Sequence, residues 1–86
     1  MLKTVEKMDA ALMVTWMNME SGCSAVEGER KMGSEAFKSV FSVPGDVDNK
    51  HDATATTDAT YTYRVRCKKG ESTSAWSNEM AMNPVR

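Results

Sequence analysis

The sequence predicts an all-β fold, a two-layer sandwich of seven short strands. Apolar and polar residues alternate in two segments, turn-forming residues separate the segments at short intervals, and no segment shows the apolar period of an amphipathic helix. The chain has 86 residues, the size of a single small domain. We therefore expect one domain over residues 1–86.

The two clearest strands lie at residues 12–16 and 61–67. In the first, Leu12, Val14 and Trp16 share one face. In the second, one face carries Tyr61, Tyr63, Val65 and Cys67, and the other face is polar or charged. Both segments are typical of strands with one buried face.

The other strands are shorter and less regular. They are expected at residues 2–8, 26–32, 36–43, 52–57 and 78–82, and the last strand ends before Pro84. Gly33, Pro44-Gly45 and Asp58 mark turns between them.

Composition argues against two classes of partner. The net charge is −1, so no long-range field attracts nucleic acid or an anionic membrane. No apolar run approaches the roughly 20 residues of a membrane span. We expect no nucleic-acid partner, no membrane span and a monomeric isolated domain.

Catalytic and metal-binding residues are not apparent. His51 is the only histidine, and neither a serine nor a cysteine has a recognisable nucleophile spacing to it. A cluster after Pro44-Gly45 is rich in oxygen ligands, but it lacks the glycine and terminal glutamate of a calcium loop; its members are Asp46, Asp48, Asn49, His51 and Asp52. We interpret it as a solvated turn, and we expect no enzyme activity, cofactor or metal.

Residues across the chain resemble a fibronectin type III domain, in the style of bacterial modules. They are Trp16, Gly28-Glu29-Arg30, Phe37, Val40, Asp52, Tyr61 and the run Ser74-Ala75-Trp76-Ser77-Asn78-Glu79. The resemblance implies a seven-stranded immunoglobulin-like sandwich of fibronectin type III topology. It implies that Trp16, Tyr61 and Val65 lie in the core and that the Tyr61 hydroxyl ties down the preceding loop.

Two positions depart from the family pattern. Gly28 and Ala55 stand where larger apolar residues are usual, and each truncation removes packing worth about 2–5 kcal/mol unless a neighbour fills the space. Eight methionines are available as flexible fillers. We therefore expect Met80 and Met82 in the core.

Cys23 and Cys67 have two interpretations. The topology that the resemblance implies brings the start of the third strand and the end of the sixth to the same end of the sandwich. A disulfide there would stabilise the fold by about 3–4 kcal/mol in an oxidising compartment. The alternative is two reduced thiols, with Cys67 packed as a small apolar residue.

Arg64, Arg66 and Lys68 lie on the face opposite the core residues of their strand. We expect Trp76 to stack between Arg64 and Arg66 as a cation–π ladder. The run Thr73-Ser74-Ala75-Trp76-Ser77 is also similar to the Trp-Ser-x-Trp-Ser box of class I cytokine receptors, with Thr73 in place of the first tryptophan. The simpler interpretation is a fibronectin-type module whose tryptophan shields a strand edge.

The resemblance implies a non-catalytic structural or spacer module of a larger secreted or cell-surface protein, with protein or carbohydrate-related interactions and neighbouring domains as its partners. The alternative is a recognition module that binds a protein ligand through its end loops, either a cytokine-receptor-like domain or a laboratory-made binder. Its candidate contact residues are Met17, Asn18, Met19, Lys68, Lys69 and Glu71.

Overall fold

The computed structural model describes residues 2–8, 11–17 and 22–85, and every regular element in these ranges is a β-strand. The strands are β1 (Leu2–Met8), β2 (Ala11–Trp16), β3 (Ala25–Met32), β4 (Lys38–Pro44), β5 (Asn49–Asp52), β6 (Tyr61–Lys69), β7 (Ser72–Thr73) and β8 (Met80–Met82). They form a three-stranded sheet in the order β1-β2-β5 and a five-stranded sheet in the order β4-β3-β6-β7, in which β8 also pairs with β6. All pairs are antiparallel. The all-β prediction is confirmed.

The described residues form eight strands, where seven were expected. The additional strand is β7, which pairs with the end of β6, while β8 pairs with its beginning. Between them, residues 74–79 leave regular strand geometry. The expected last strand therefore corresponds to β8 alone.

The fifth strand lies earlier than the sequence indicated. It covers Asn49–Asp52 and pairs with β2. Residues 53–60 form turns, with backbone hydrogen bonds between residues two or three positions apart. The interpretation of the cluster at residues 46–52 as a solvated turn was wrong for residues 49–52, which form a strand. Asp52 is buried. The exposed edge of β2 supplies hydrogen-bond partners, and this pairing outweighs the weak strand propensity of Asn and Asp.

The inner faces of the two sheets share one apolar core. Its buried members are Leu2, Val5, Leu12, Val14, Trp16, Val26, Phe41, Ala55, Tyr61, Tyr63 and Val65. Trp16 of the smaller sheet stacks on Phe41 of the larger sheet, with ring centroids 5.5 Å apart and an interplanar angle of 14°. This contact joins the two layers.

Gly28 makes that contact possible. It pairs with Phe41 across β3 and β4, and a Cβ atom at position 28 would overlap the Phe41 ring. Phe41 therefore fills the space that we expected methionines to fill. Met80 and Met82 are only partly buried and pack against the edge of the core.

The first and last strands run in the same direction. Leu12 of β2 pairs with Asp52, whose carboxylate meets the Tyr63 hydroxyl, so β1 runs toward the Tyr61 end of β6. The antiparallel pairing of β8 with β6 also directs β8 toward Tyr61. Both strands therefore run away from the end of the domain that holds Lys69 and toward the end that holds Tyr61, which we name the Lys69 end and the Tyr61 end.

We expect Gly28→Ala to lower the free energy of unfolding by about 1–3 kcal/mol, because the added Cβ displaces the Phe41 ring. Urea unfolding measures the change, and Ser42→Ala on the exposed part of β4 is the control. In a Phe41→Ala background the same glycine substitution should cost much less. Equal costs in both backgrounds would show that the ring does not lie over Gly28.

Candidate functional site

The outer face of the five-stranded sheet carries a row of stacked cations and rings. Tyr61, Tyr63 and Val65 of β6 point into the core, so the alternate residues Arg64 and Arg66 point outward. Trp76 reaches them from the segment between β7 and β8. Its ring centroid lies 4.4 Å from Cζ of Arg64 and 4.3 Å from Cζ of Arg66. These distances are those of cation–π contacts.

The row extends beyond the three residues expected from the sequence. The Arg64 guanidinium also lies 4.0 Å from the centroid of Phe37, and Nζ of Lys31 lies 5.2 Å from the same ring. We name Lys31, Phe37, Arg64, Trp76 and Arg66 the outer stack. Sequence reasoning missed the contacts of Phe37 and Lys31 with this row. It placed Phe37 within a strand at residues 36–43, whereas β4 begins only at Lys38.

Two glutamates of β3 hold the arginines in place. Glu29 lies opposite Arg64 and accepts hydrogen bonds from it, one of them from Nε at 3.0 Å. Glu27 lies opposite Arg66 and accepts from its Nε at 2.8 Å. These four side chains are partly exposed, so each pair contributes about 1 kcal/mol or less to stability. Their main effect is to fix the guanidinium planes against the rings.

Ser74 and Ser77 position Trp76. The backbone N–H of Cys67 donates to Oγ of Ser74 at 3.0 Å, and the N–H of Val65 donates to Oγ of Ser77 at 2.9 Å. The serine N–H groups donate back to the carbonyls of the same two β6 residues. Serine hydroxyls thus replace the backbone acceptors of a regular strand, which explains why β7 and β8 are separate.

Cys23 and Cys67 form a disulfide, with their Cα atoms 5.6 Å apart. The bond links the segment before β3 to the last third of β6, close to the Lys69 end. Ser24 reinforces the junction through hydrogen bonds from its N–H and its hydroxyl to the carbonyl of Lys68. The sequence alone had not decided between a disulfide and two reduced thiols.

The candidate contact residues lie only partly within the described chain. Met17 is 50% exposed, Lys69 and Glu71 are exposed, and Lys68 is half-buried. Asn18 and Met19 lie outside the described residues. A shallow depression at the β6–β7 hairpin is lined by Cys67, Lys69, Ser72, Thr73 and Ser74. That these residues form one contact surface stays a prediction.

Asp52 is the centre of a buried polar network that sequence reasoning did not find. Its carboxylate accepts hydrogen bonds from the Tyr63 hydroxyl at 2.6 Å and from Nη1 of Arg30 at 2.8 Å. The hydroxyl and the N–H of Thr54 also donate to it. The signal in the sequence was Tyr63, because a tyrosine on the inner face of a strand needs a partner for its hydroxyl.

The network shifts three pKa values. Burial would raise the pKa of Asp52, but the hydrogen bonds from Thr54, Tyr63 and Arg30 outweigh it, so the pKa of Asp52 lies below its usual value. Burial and the Asp52 carboxylate raise the pKa of the Tyr63 hydroxyl. Burial opposes the charge of Arg30, yet Asp52 raises the pKa of Arg30. Asp52 is therefore ionised, and its carboxylate already accepts four hydrogen bonds. This arrangement suits a structural role better than a role in proton transfer.

Tyr61 has a second polar anchor at the same end. Its hydroxyl is hydrogen bonded to Oγ1 of Thr57 at 2.5 Å, and the N–H of Thr57 points at it from 3.4 Å. The loop before β6 is tied down by this contact, as the resemblance implied.

Within residues 2–8, 11–17 and 22–85, no three His, Cys, Asp or Glu side chains lie close enough together to hold a metal ion. The same part of the chain has no helix that is long and apolar enough to cross a membrane.

We expect the Asp52 network to make stability depend on acid pH. Because the folded-state pKa of Asp52 is below the unfolded value of about 3.9, its contribution is present above that value and is lost as the pH falls through the folded pKa. Asp52→Asn should be less stable than the wild type by about 2–4 kcal/mol at pH 7, since Arg30 loses its charged partner.

The difference between Asp52→Asn and the wild type should shrink between pH 4 and pH 2, as measured by urea unfolding. Asp46→Asn, at an exposed position before β5, is the control and should match the wild type. If Asp52→Asn does not fold, Tyr63→Phe removes one donor and should show a smaller loss of the same kind. A difference that stays constant over this pH range would contradict the account.

Comparison with known proteins gives no family assignment. No protein-family model matches the chain, and no curated protein is significantly similar to it in sequence. The resemblance to fibronectin type III domains therefore rests on the residues named above and stays a prediction.

Proposed function

We propose that this chain is a non-catalytic module of fibronectin type III topology that sets the distance and orientation between neighbouring domains of a secreted or cell-surface protein. The observation that carries the proposal is the common direction of β1 and β8. When the first and last strands run in the same direction, the chain enters toward one end of the module and leaves toward the other, so the module separates what is attached to it. The molecule is 36 Å along its longest axis.

The strand order supports the topology named in the proposal. β1, β2 and β5 form one layer, and β4, β3, β6, β7 and β8 form the other. The chain returns to the first layer for β5 after it has formed β3 and β4 in the second layer. This change of layer is typical of immunoglobulin-like sandwiches. The disulfide is compatible with the oxidising surroundings of secreted and surface proteins.

The end of the described chain is held against the body of the domain. Nδ2 of Asn83 donates to Oδ1 of Asp58 at 2.9 Å, and the N–H of Val85 donates to Oδ1 of Asn83 at 2.8 Å. Pro84 between them is buried. A spacer that orients its neighbour needs such a fixed direction of exit, because a free tail would let the neighbour rotate.

A recognition role has separate support. Met17 is one of three large apolar residues that are exposed within the described chain, and it follows β2 at the Lys69 end. A flexible thioether at a loop is an adaptable contact. The exposure of Met17 supports a recognition role at the Lys69 end alone. The common direction of β1 and β8 supports a spacer role for the whole module.

The spacer proposal is tested by fusing one copy of the same globular reporter domain to each terminus. Small-angle scattering should show one fixed separation of the two reporter centres, with a narrow distribution. Two reporters joined by a flexible Gly/Ser linker of equal length are the control and should give a broad distribution. Reporters in mutual contact, or a distribution as broad as that of the control, would refute the spacer role.

A further inference from the structure

We propose that the outer face has a vacant position between Arg66 and Lys68 that binds one aromatic side chain, flanked by acidic residues, of a partner polypeptide. This binding site is additional to the spacer role and does not depend on it. It follows from the spacing of the outer stack.

The cations of β6 repeat at a fixed interval. Arg64, Arg66 and Lys68 are alternate residues of one strand, so successive side chains on the outer face are about 7 Å apart. Trp76 fills the first interval, almost equally far from the two guanidinium carbons at 4.4 and 4.3 Å. One interval of this size therefore accommodates one aromatic ring in contact with both cations.

The second interval has the same length but contains no ring. The register places Thr73 of β7 on one side of Lys68 and Ala25 of β3 on the other. Directly paired residues of antiparallel strands project to the same face, so both small side chains lie on the outer face. Thr73 is exposed. Neither side chain is large enough to fill a ring-sized interval.

The charges around the vacant interval are only partly balanced. Arg66 is paired with Glu27 through Nε. The ion pairs among the described residues involve Arg30, Arg64 and Arg66, and Lys68 forms none of them. The two cations attract a ring between them, and the unpaired ammonium group attracts an adjacent carboxylate.

The occupant comes from a different polypeptide. The chain has six aromatic residues, all of them described, and none is exposed. Phe37 and Trp76 are already part of the outer stack, and the other four belong to the core. A second copy of this chain therefore offers no free ring, and a tryptophan with acidic neighbours in another protein fits the interval by both shape and charge.

The test uses the wild-type protein and an acetylated, amidated Asp-Trp-Asp tripeptide, followed by two-dimensional amide NMR. The amide signals of Arg66, Lys68 and Thr73 should shift and saturate with a Kd of about 1–10 mM, as expected for a few contacts of this kind. An Asp-Leu-Asp peptide should bind about tenfold more weakly, and so should a Lys-Trp-Lys peptide.

Four variants locate the site. Thr73→Trp fills the interval from within, so it should abolish the peptide-induced shifts and raise the melting temperature, whereas the matched variant Thr73→Val leaves the interval open and should bind as the wild type does. Lys68→Gln should weaken binding, whereas Lys50→Gln, at an exposed cation of the other sheet, should not. The inference is overturned if the wild type shows no shifts at about 20 mM peptide, if the leucine peptide binds equally well, or if Thr73→Trp still binds.

Discussion

The stack of Trp16 on Phe41 across the two sheets is the contact on which the rest of the structure depends. It exists because Gly28 has no side chain, so that the Phe41 ring lies over β3 and reaches the indole of the opposite layer. The position that the family resemblance identified as underpacked is therefore filled by a neighbouring strand. In a domain of this size, whose described residues form one small core, such a contact decides how the layers are aligned.

β6 connects the core to the outer face. Its inward residues include Tyr61, Tyr63 and Val65, and its outward residues include Arg64 and Arg66 of the outer stack. A shift of β6 by one residue would exchange the two sets, because successive side chains of a strand point to opposite faces. The buried anchor of Tyr63 on Asp52 and the disulfide at Cys67 hold the two ends of this strand, so the features that secure the core also fix the spacing of the cations.

Sequence reasoning succeeded where a feature depends on alternation along one strand. The strands that contain Trp16 and Tyr61 were predicted, and so was the outward direction of Arg64 and Arg66, because the two-residue period of a strand determines each of them. The stacking of Trp76 on these arginines was also predicted, because its segment follows β6 in the sequence. The contacts that Asp52 and Phe37 make with other segments were missed. Asp52 was interpreted as solvated because its partners lie in β3, β6 and the following turn, and the place of Phe37 beneath Arg64 is set by the pairing of β4 with β3. The lengths of the loops between these segments do not predict such contacts.

The position of the Phe41 ring over Gly28 is tested most directly by NMR of the unmodified protein. An aromatic ring shifts the protons above its face upfield, so the α-protons of Gly28 should lie well upfield of their usual position and should show nuclear Overhauser effects to Phe41. The Phe41 ring should show effects to the Trp16 indole as well. Gly28 α-protons at ordinary shifts, together with no effect between the two rings, would contradict this account of how the layers are joined.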